Sequence, residues 1–217
     1  MILRARTWIC AGFAFLLSLN GFTAANNLDD GTPGEMSWGV GDHYKLPTDA
    51  EGWSIVEPGR IHRKIYAASN GAPGNSGLSP DSPVDLETGQ GMIRANSSDW
   101  LLLRRGDSFD RGIRFGENML GESPLHPILV GAYGDGPRPV LRGSSGAIKS
   151  YPRGNIVVRD VHLQNQGFSL NPAGPFENLL IENVLMDNAS SAFIGTCSRI
   201  TLRRCVVKNC HREYPPN

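Results

Sequence analysis

Asn155-Ile-Val-Val-Arg-Asp-Val-His-Leu-Gln-Asn165 is a phrase that this chain repeats. The second copy is Asn178-Leu-Leu-Ile-Glu-Asn-Val-Leu-Met-Asp-Asn188, and the third is Arg199-Ile-Thr-Leu-Arg-Arg-Cys-Val-Val-Lys-Asn209. Each copy spans eleven residues, and the starts lie 23 and then 21 residues apart. Self-similarity at this period predicts a stack of like units, each burying the face that its neighbour would otherwise expose.

Within a copy the apolar positions alternate. Ile156, Val158, Val161 and Leu163 correspond to Leu179, Ile181, Val184 and Met186, and then to Ile200, Leu202, Cys205 and Val207. A period of two marks a half-buried strand. The alternation slips once per copy, at Arg159-Asp160, Glu182-Asn183 and Arg203-Arg204. A continuous strand would send its second half to the wrong face, so each copy reads as two short strands joined by a bend. A helical period of 3.6 fits none of the copies.

Stacking the copies aligns their polar residues. Asn165, Asn188 and Asn209 form a terminal column whose side-chain amides can bond from unit to unit. Arg159, Glu182 and Arg203 align as plus, minus, plus, which reads as surface charge pairing worth ~0–1 kcal/mol per exposed pair. Gln164, Asp187 and Lys208 make a second polar column. The pattern predicts an all-β fold, a right-handed parallel β-helix with one coil per 21–23 residues.

Outward from this core, the first 25 residues read as a secretory signal peptide. Arg4 and Arg6 precede an apolar run from Trp8 to Leu19, and Thr23-Ala24-Ala25 supplies small residues for cleavage. The run is too short to span a bilayer comfortably, and no later segment is apolar enough to cross one. The expected product is secreted, periplasmic or extracellular. The full chain of 217 residues is formally neutral, and losing two arginines with the signal leaves −2. That balance supplies no basic field for nucleic acid.

Residues 26–60 are dense in Gly, Pro and Asp, with Trp38 and Trp53 interspersed; regular structure is not expected over Asn26–Leu46. The segment is a candidate cover for an open end of the coil, and its tryptophans are expected to pack on the stack rather than on a sugar. Residues 61–217 are assigned to the β-helix. Tyr214-Pro-Pro-Asn217 follows soon after an Asn that should lead into another coil, so a fragment truncated at the C-terminus is expected, with a proline stop as the competing explanation. Cys205 occupies an inward position and reads as a small buried hydrophobe, while Cys197 and Cys210 flank the third copy and are left as a pair that an oxidising compartment would allow.

Arg63-Lys-Ile-Tyr-Ala67, the turn-rich Ser69–Pro83 with its Gly77-Leu78-Ser79-Pro80, and the strands beginning at Asp99 and His126 resemble the opening segment of secreted right-handed parallel β-helix proteins of the pectin-lyase-like superfamily. The resemblance runs from about Gly52 onward. It implies a short helix capping the first coil, although Gly89 and Gly91 weaken a helix over Val84–Arg94. It implies an extracellular polysaccharide as partner, and lyase or glycoside hydrolase chemistry in a groove along one face. Calcium enters by that resemblance alone; the residues show no cofactor and no metal-ligand spacing. Where the family often has two acidic residues in the turn before Gly-Leu-Ser, this chain has Pro73 and Ser76.

Catalysis of either kind needs acids or bases converging on one outer face. The candidates for catalysis are Asp160, Asp187 and Arg204, and for substrate binding His162 and Lys208. Asp160, Asn183 and Arg204 share a column, which would put an acid and a base two rungs, about 10 Å, apart. His162 lies in line with Leu185 and Val206 and reads as a surface histidine without an acidic partner. A solvated ladder is the competing explanation for all of these, and a non-catalytic carbohydrate-binding or adhesive surface rod, or an inactive truncated remnant, is the competing function.

Overall fold

Asp160, Asn183 and Arg204, the second members of the three polar pairs, sit at φ of 60°, 54° and 50°. A residue in the left-handed region interrupts a strand and redirects the chain, and Asn and Asp tolerate it best. The first two copies repeat the device at both ends, with Asn155, Asn165, Asn178 and Asn188 also at positive φ. The expected bend is therefore present, and the phrase is punctuated by left-handed residues.

The computed structural model describes residues 36–38, 43–116, 119–142, 148–150, 154–165, 167–170, 177–189, 193–194 and 199–209. The elements in order are β1 (Met36–Trp38), β2 (Lys64–Ala67), α1 (Leu86–Gly91), β3 (Trp100–Arg104), β4 (Ser108–Phe109), β5 (Ile113–Phe115), β6 (Ile128–Tyr133), β7 (Val140–Leu141) and β8 (Ile148–Ser150). They continue with β9 (Gly154–Arg159), β10 (His162–Gln164), β11 (Phe168–Leu170), β12 (Glu177–Glu182), β13 (Leu185–Asp187), β14 (Phe193–Ile194), β15 (Ile200–Arg203) and β16 (Val206–Lys208).

These strands form three sheets. The first runs β1-β15-β12-β9-β6-β3-β2, the second β16-β13-β10-β7-β4 and the third β14-β11-β8-β5. From β3 onward the chain visits the three sheets in rotation and returns to each beside its previous strand, always parallel. The fold is all-β with parallel sheets, and α1 is its one helix among the described residues. The register matches the alignment of the copies: Ile156, Leu179 and Ile200 are neighbours, as are His162, Leu185 and Val206.

The interior is lined by the alternating set, with Ile156, Val158, Val161 and Leu163 stacked on Leu179, Ile181, Val184 and Met186. Helix α1 lies at the β2 end, its N-terminus capped by Asp85, which accepts from the Thr88 amide at 2.9 Å. Gly89 serves this packing. A Cβ there would stand 3.1 Å from Leu101 Cδ1 and 3.3 Å from Val84 Cγ2, so the glycine lets the helix sit down on the core.

The N-terminal segment differs from expectation in two ways. Met36–Trp38 is a strand, antiparallel to β15, where it meets backbone groups that an edge leaves unpaired. Residues 43–58 cross the outer face of the first sheet as a strap, with Tyr44, Leu46 and Val56 packed on Leu129, Val157 and Leu180. Burial on both faces explains why Val157 and Leu180 are apolar where alternation predicts polar residues. Covering them contributes roughly 1.5–3 kcal/mol per side chain.

The strap also overturns the reading of Arg159, Glu182 and Arg203 as exposed charge pairing. Glu182 is 0% exposed, enclosed beneath Ser54, and Arg203 Nη1 approaches it at 3.7 Å. Cys205 is half-buried against the core, and burial pushes its thiol pKa up. Cys197, Cys210 and the N-terminal 25 residues lie outside the described residues. The asparagine column forms in part: Asn188 donates to Asn165 Oδ1 at 2.9 Å, but Asn209 donates to Asp187 Oδ1 at 2.8 Å. Two further ladders run from Asn178 to Asn155 and from Asn183 to Asp160, both at 2.6 Å.

Candidate functional site

Where the first sheet bends into the second, turns and strands from successive passes of the chain leave a groove of about 490 Å³. Its walls include Arg105, Arg138, Val140, His162, Asn183 and Leu185. Arg105 follows β3 in a turn closed by Gly106 at φ 83°, whose amide donates to the Pro137 carbonyl at 2.9 Å. Arg138 lies between Pro137 and Pro139 in the β6–β7 turn and donates from Nη2 to Asn183 Oδ1. His162 opens β10, in register with Val140 and Leu185.

The electrostatics are predominantly cationic. Arg105 pairs with Asp160 Oδ2 at 3.7 Å, and Arg159 approaches the same oxygen at 3.8 Å. Arg138 makes no ion pair among the described residues. Burial lowers the pKa of His162, the charge of Asp187 opposes this, and Lys208, Arg138 and Arg142 add to the lowering. Hydrogen bonding from Asn209 holds the Asp187 carboxyl below its ordinary value, with Lys208 adding to it. Lys208 Nζ stands 3.3 Å from Asp187 Oδ2.

A second hollow of about 430 Å³ lies beneath the strap, bordered by Asp49, Trp53, Arg159, Asp160, Glu182 and Asn183. Asn183 stands in the walls of both spaces. Trp53 is not a bare platform, because the Arg204 guanidinium lies 3.8 Å over its ring.

Three of the five sequence candidates come together on the outer face of the second sheet. His162 Nε2 lies 3.9 Å from Asp187 Oδ2, and Lys208 lies on the other side of that carboxylate. His162 thus has an acidic neighbour, contrary to the reading from its column. The neighbour is diagonal, two residues along the adjacent strand, within reach of a long side chain. Asp160 sits at the rim of the groove, accepting from Asn183 and facing two arginines. Arg204 is turned to the strap, donating to the Glu51 carbonyl at 2.6 Å, and does not face Asp160 across an open floor.

Arg105 and Arg138 were not among the candidates. Both lie in turns of earlier passes, and their only sequence signal is an arginine beside a Gly or Pro turn, Arg105-Gly106 and Pro137-Arg138-Pro139. Among the described residues no three His, Cys, Asp or Glu side chains cluster to hold a metal. The candidate carboxylates Asp160 and Asp187 each face cationic side chains. No helix among the described residues is long and apolar enough to cross a membrane.

No family model matches the chain. No curated protein matches it either. Among solved structures it is similar to a GH136 lacto-N-biosidase from Eubacterium ramulus. The native protein aligns at 18% identity with a TM-score of 0.40, covering 59% of this chain and 26% of that one. The selenomethionine derivative aligns at 17% identity with a TM-score of 0.40, covering 58% and 26%. The chain therefore spans about a quarter of the length of the solved structures it matches.

Proposed function

We propose that this chain is a secreted right-handed parallel β-helix of the pectin-lyase-like type that acts on an extracellular polysaccharide, by lyase or glycoside hydrolase chemistry. Supporting the architecture is the rotation of the chain through three parallel sheets, with each return beside the previous strand. Supporting export is the basic start, apolar run and small-residue site within residues 1–25.

The observation that carries the functional reading is the groove in which Arg105, Arg138 and His162, from three successive passes, share one wall system. Passes follow one another at a strand spacing of ~4.8 Å, a step comparable to a sugar ring. An extended polymer lying along the stack therefore meets one cationic or titratable group per step. Guanidinium groups suit the planar carboxylates of acidic sugars through paired hydrogen bonds.

Incubation of the secreted protein with a panel of polyuronates and neutral glycans tests this reading. The expected result is polymer shortening, with retention of the polyuronates on the protein. Neither shortening nor retention of any polymer would sink it. Retention without shortening would favour a binding or adhesive protein, a second reading supported by the commitment of Arg204 to the strap and Asp160 to the Asn183 ladder.

A further inference from the structure

Polar and apolar side chains are sorted to different sides of the groove. Arg105 is anchored on Asp160 at 3.7 Å and Arg138 on the Asn183 side-chain oxygen, while Asn183 donates to Asp160 Oδ1 at 2.6 Å. Two guanidinium groups are therefore held at neighbouring steps of one ladder, on the bend side of the groove. Asp160 offsets part of the Arg105 charge, whereas the Asn183 partner of Arg138 is neutral. Beside them β7, β10 and β13 set Val140, His162 and Leu185 in one outward row. Alternation would make such positions polar. On the first sheet the outward Leu129, Val157 and Leu180 are covered by Tyr44, Leu46 and Val56 of the strap. Val140 and Leu185 belong to neither buried cluster among the described residues; they are half-buried and line the groove. Beyond the row, Arg142 donates to Gln164 Oε1 at 2.6 Å and Asp187 follows Gln164 in register, so the far side is polar. The apolar floor is thus one side chain wide and two steps long, about 10 Å.

We propose that this groove is a binding site for a small carboxylic acid with a flat apolar body, of the aryl-propenoate kind. Arg138, with Arg105 beside it, takes the carboxylate, and Val140, His162 and Leu185 take the body. A guanidinium presents paired donors that match a planar carboxylate. Covering Val140 and Leu185 removes from water the apolar surface that the sheet leaves open. The imidazole between them offers an aromatic face, which favours a planar body over a branched alkyl one. The groove, at about 490 Å³, falls within the usual range of small-molecule sites, roughly 300–1,000 Å³. Carboxylates spaced along a polymer would use the cations and leave this floor bare, so the ligand class goes beyond the polysaccharide reading and does not depend on it.

Calorimetric titration of the full secreted chain with trans-cinnamate, beside two partial probes, tests the assignment. Acetate has the charge without the body, and methyl cinnamate has the body without the charge. Cinnamate should bind about 10-fold or more tightly than either, the scale of one charged hydrogen-bonding group. Arg138→Ala should weaken cinnamate about 10-fold and leave methyl cinnamate nearly unchanged. Leu185→Ser should weaken both esterified and free cinnamate, by about 10-fold, through the lost apolar contact. Val206→Ser, in the same row but one step past the groove, should leave all three probes unchanged. Cinnamate binding no tighter than acetate or methyl cinnamate overturns the proposal, a comparison that needs only the wild type. So does a Val206→Ser loss as large as that of Leu185→Ser, which would show an unspecific apolar face. A wild type that retains polygalacturonate without binding cinnamate overturns this proposal and leaves the polysaccharide reading standing. One that binds cinnamate and retains no polymer does the reverse.

Discussion

Ser54 and Glu182, 128 residues apart in the chain, meet beneath the strap: the Ser54 amide and hydroxyl both donate to the Glu182 carboxylate, at 3.3 and 3.2 Å. Arg203 joins them from the next strand, donating to Ser54 Oγ at 3.1 Å and to the Gly52 carbonyl at 2.7 Å, and Arg159 donates to the Ser54 carbonyl at 3.1 Å. A buried carboxylate is tolerated only when its lone pairs are satisfied and its charge is matched. The strap tip supplies the donors and the flanking arginines the charge, so the strap and the ladder beneath it form one polar network.

Ser54→Ala removes the hydroxyl and leaves the amide in place, and should cost about 1 kcal/mol of stability. Glu182→Ala leaves Arg203 without its carboxylate in a covered site and should cost about 3–5 kcal/mol. Denaturant unfolding of the two variants checks the ranking; equal losses would mean that the strap does not depend on the carboxylate.

Asp99, immediately before β3, has no side-chain exposure and is held by Arg94 at 2.6 Å and Arg63 at 3.5 Å. Burial pushes its carboxyl pKa up, but the hydrogen bonds and charge of Arg94, helped by Arg63, outweigh burial and leave it below the ordinary value. Its contribution is therefore complete above the unfolded value of about 3.9 and is lost as pH falls through the lower folded value. Asp99→Asn should cost about 3 kcal/mol at neutral pH. It should also flatten the acid limb of a stability profile measured from pH 5 to pH 2.

Asn178 occupies φ 58°, is buried, and donates to Asn155 Oδ1 at 2.6 Å. Alanine loses the bond and strains the left-handed backbone, for about 2 kcal/mol in total. Glycine loses the bond but accepts the backbone, so Asn178→Gly should be the milder change despite removing more side chain. Thermal unfolding of both separates backbone from side-chain roles; a milder alanine variant would show that the left-handed conformation is not the constraint.

Arg138 is the groove cation with a neutral partner, the Asn183 side-chain oxygen. Arg138→Ala should weaken retention of polygalacturonate about 10-fold to 100-fold, the range of one charged hydrogen-bonding group. It should also reduce the salt dependence of that retention while leaving a neutral glycan unaffected. Unchanged salt dependence would remove Arg138 from the contact surface.

The stack was legible because its signals are local and repeated. Ile156, Leu179 and Ile200 announce one column, and the polar pairs around Asp160, Asn183 and Arg204 announce the bend, since left-handed conformations favour particular side chains. The groove was only partly legible. Asp187, Lys208 and His162 were named from their columns, but a column shows what lies straight across a strand pair. The His162–Asp187 approach is diagonal, and Arg105 and Arg138 enter from turns whose residues carry no period.

Sequence alone determined the repeat, its register, the places where the chain turns and the inward set apart from Val207, which is 49% exposed in β16, because backbone sterics and strand alternation act between neighbouring residues. Only the tertiary structure decided what the outward set does. Glu182 is enclosed because a strap from residue 54 lies over it, and Arg204 is spoken for because Trp53 lies beneath its guanidinium. His162 has an acid beside it because the next strand carries Asp187 two residues along. These contacts join residues from different passes or from the far N-terminal segment, and nothing in the local pattern of either partner records the meeting.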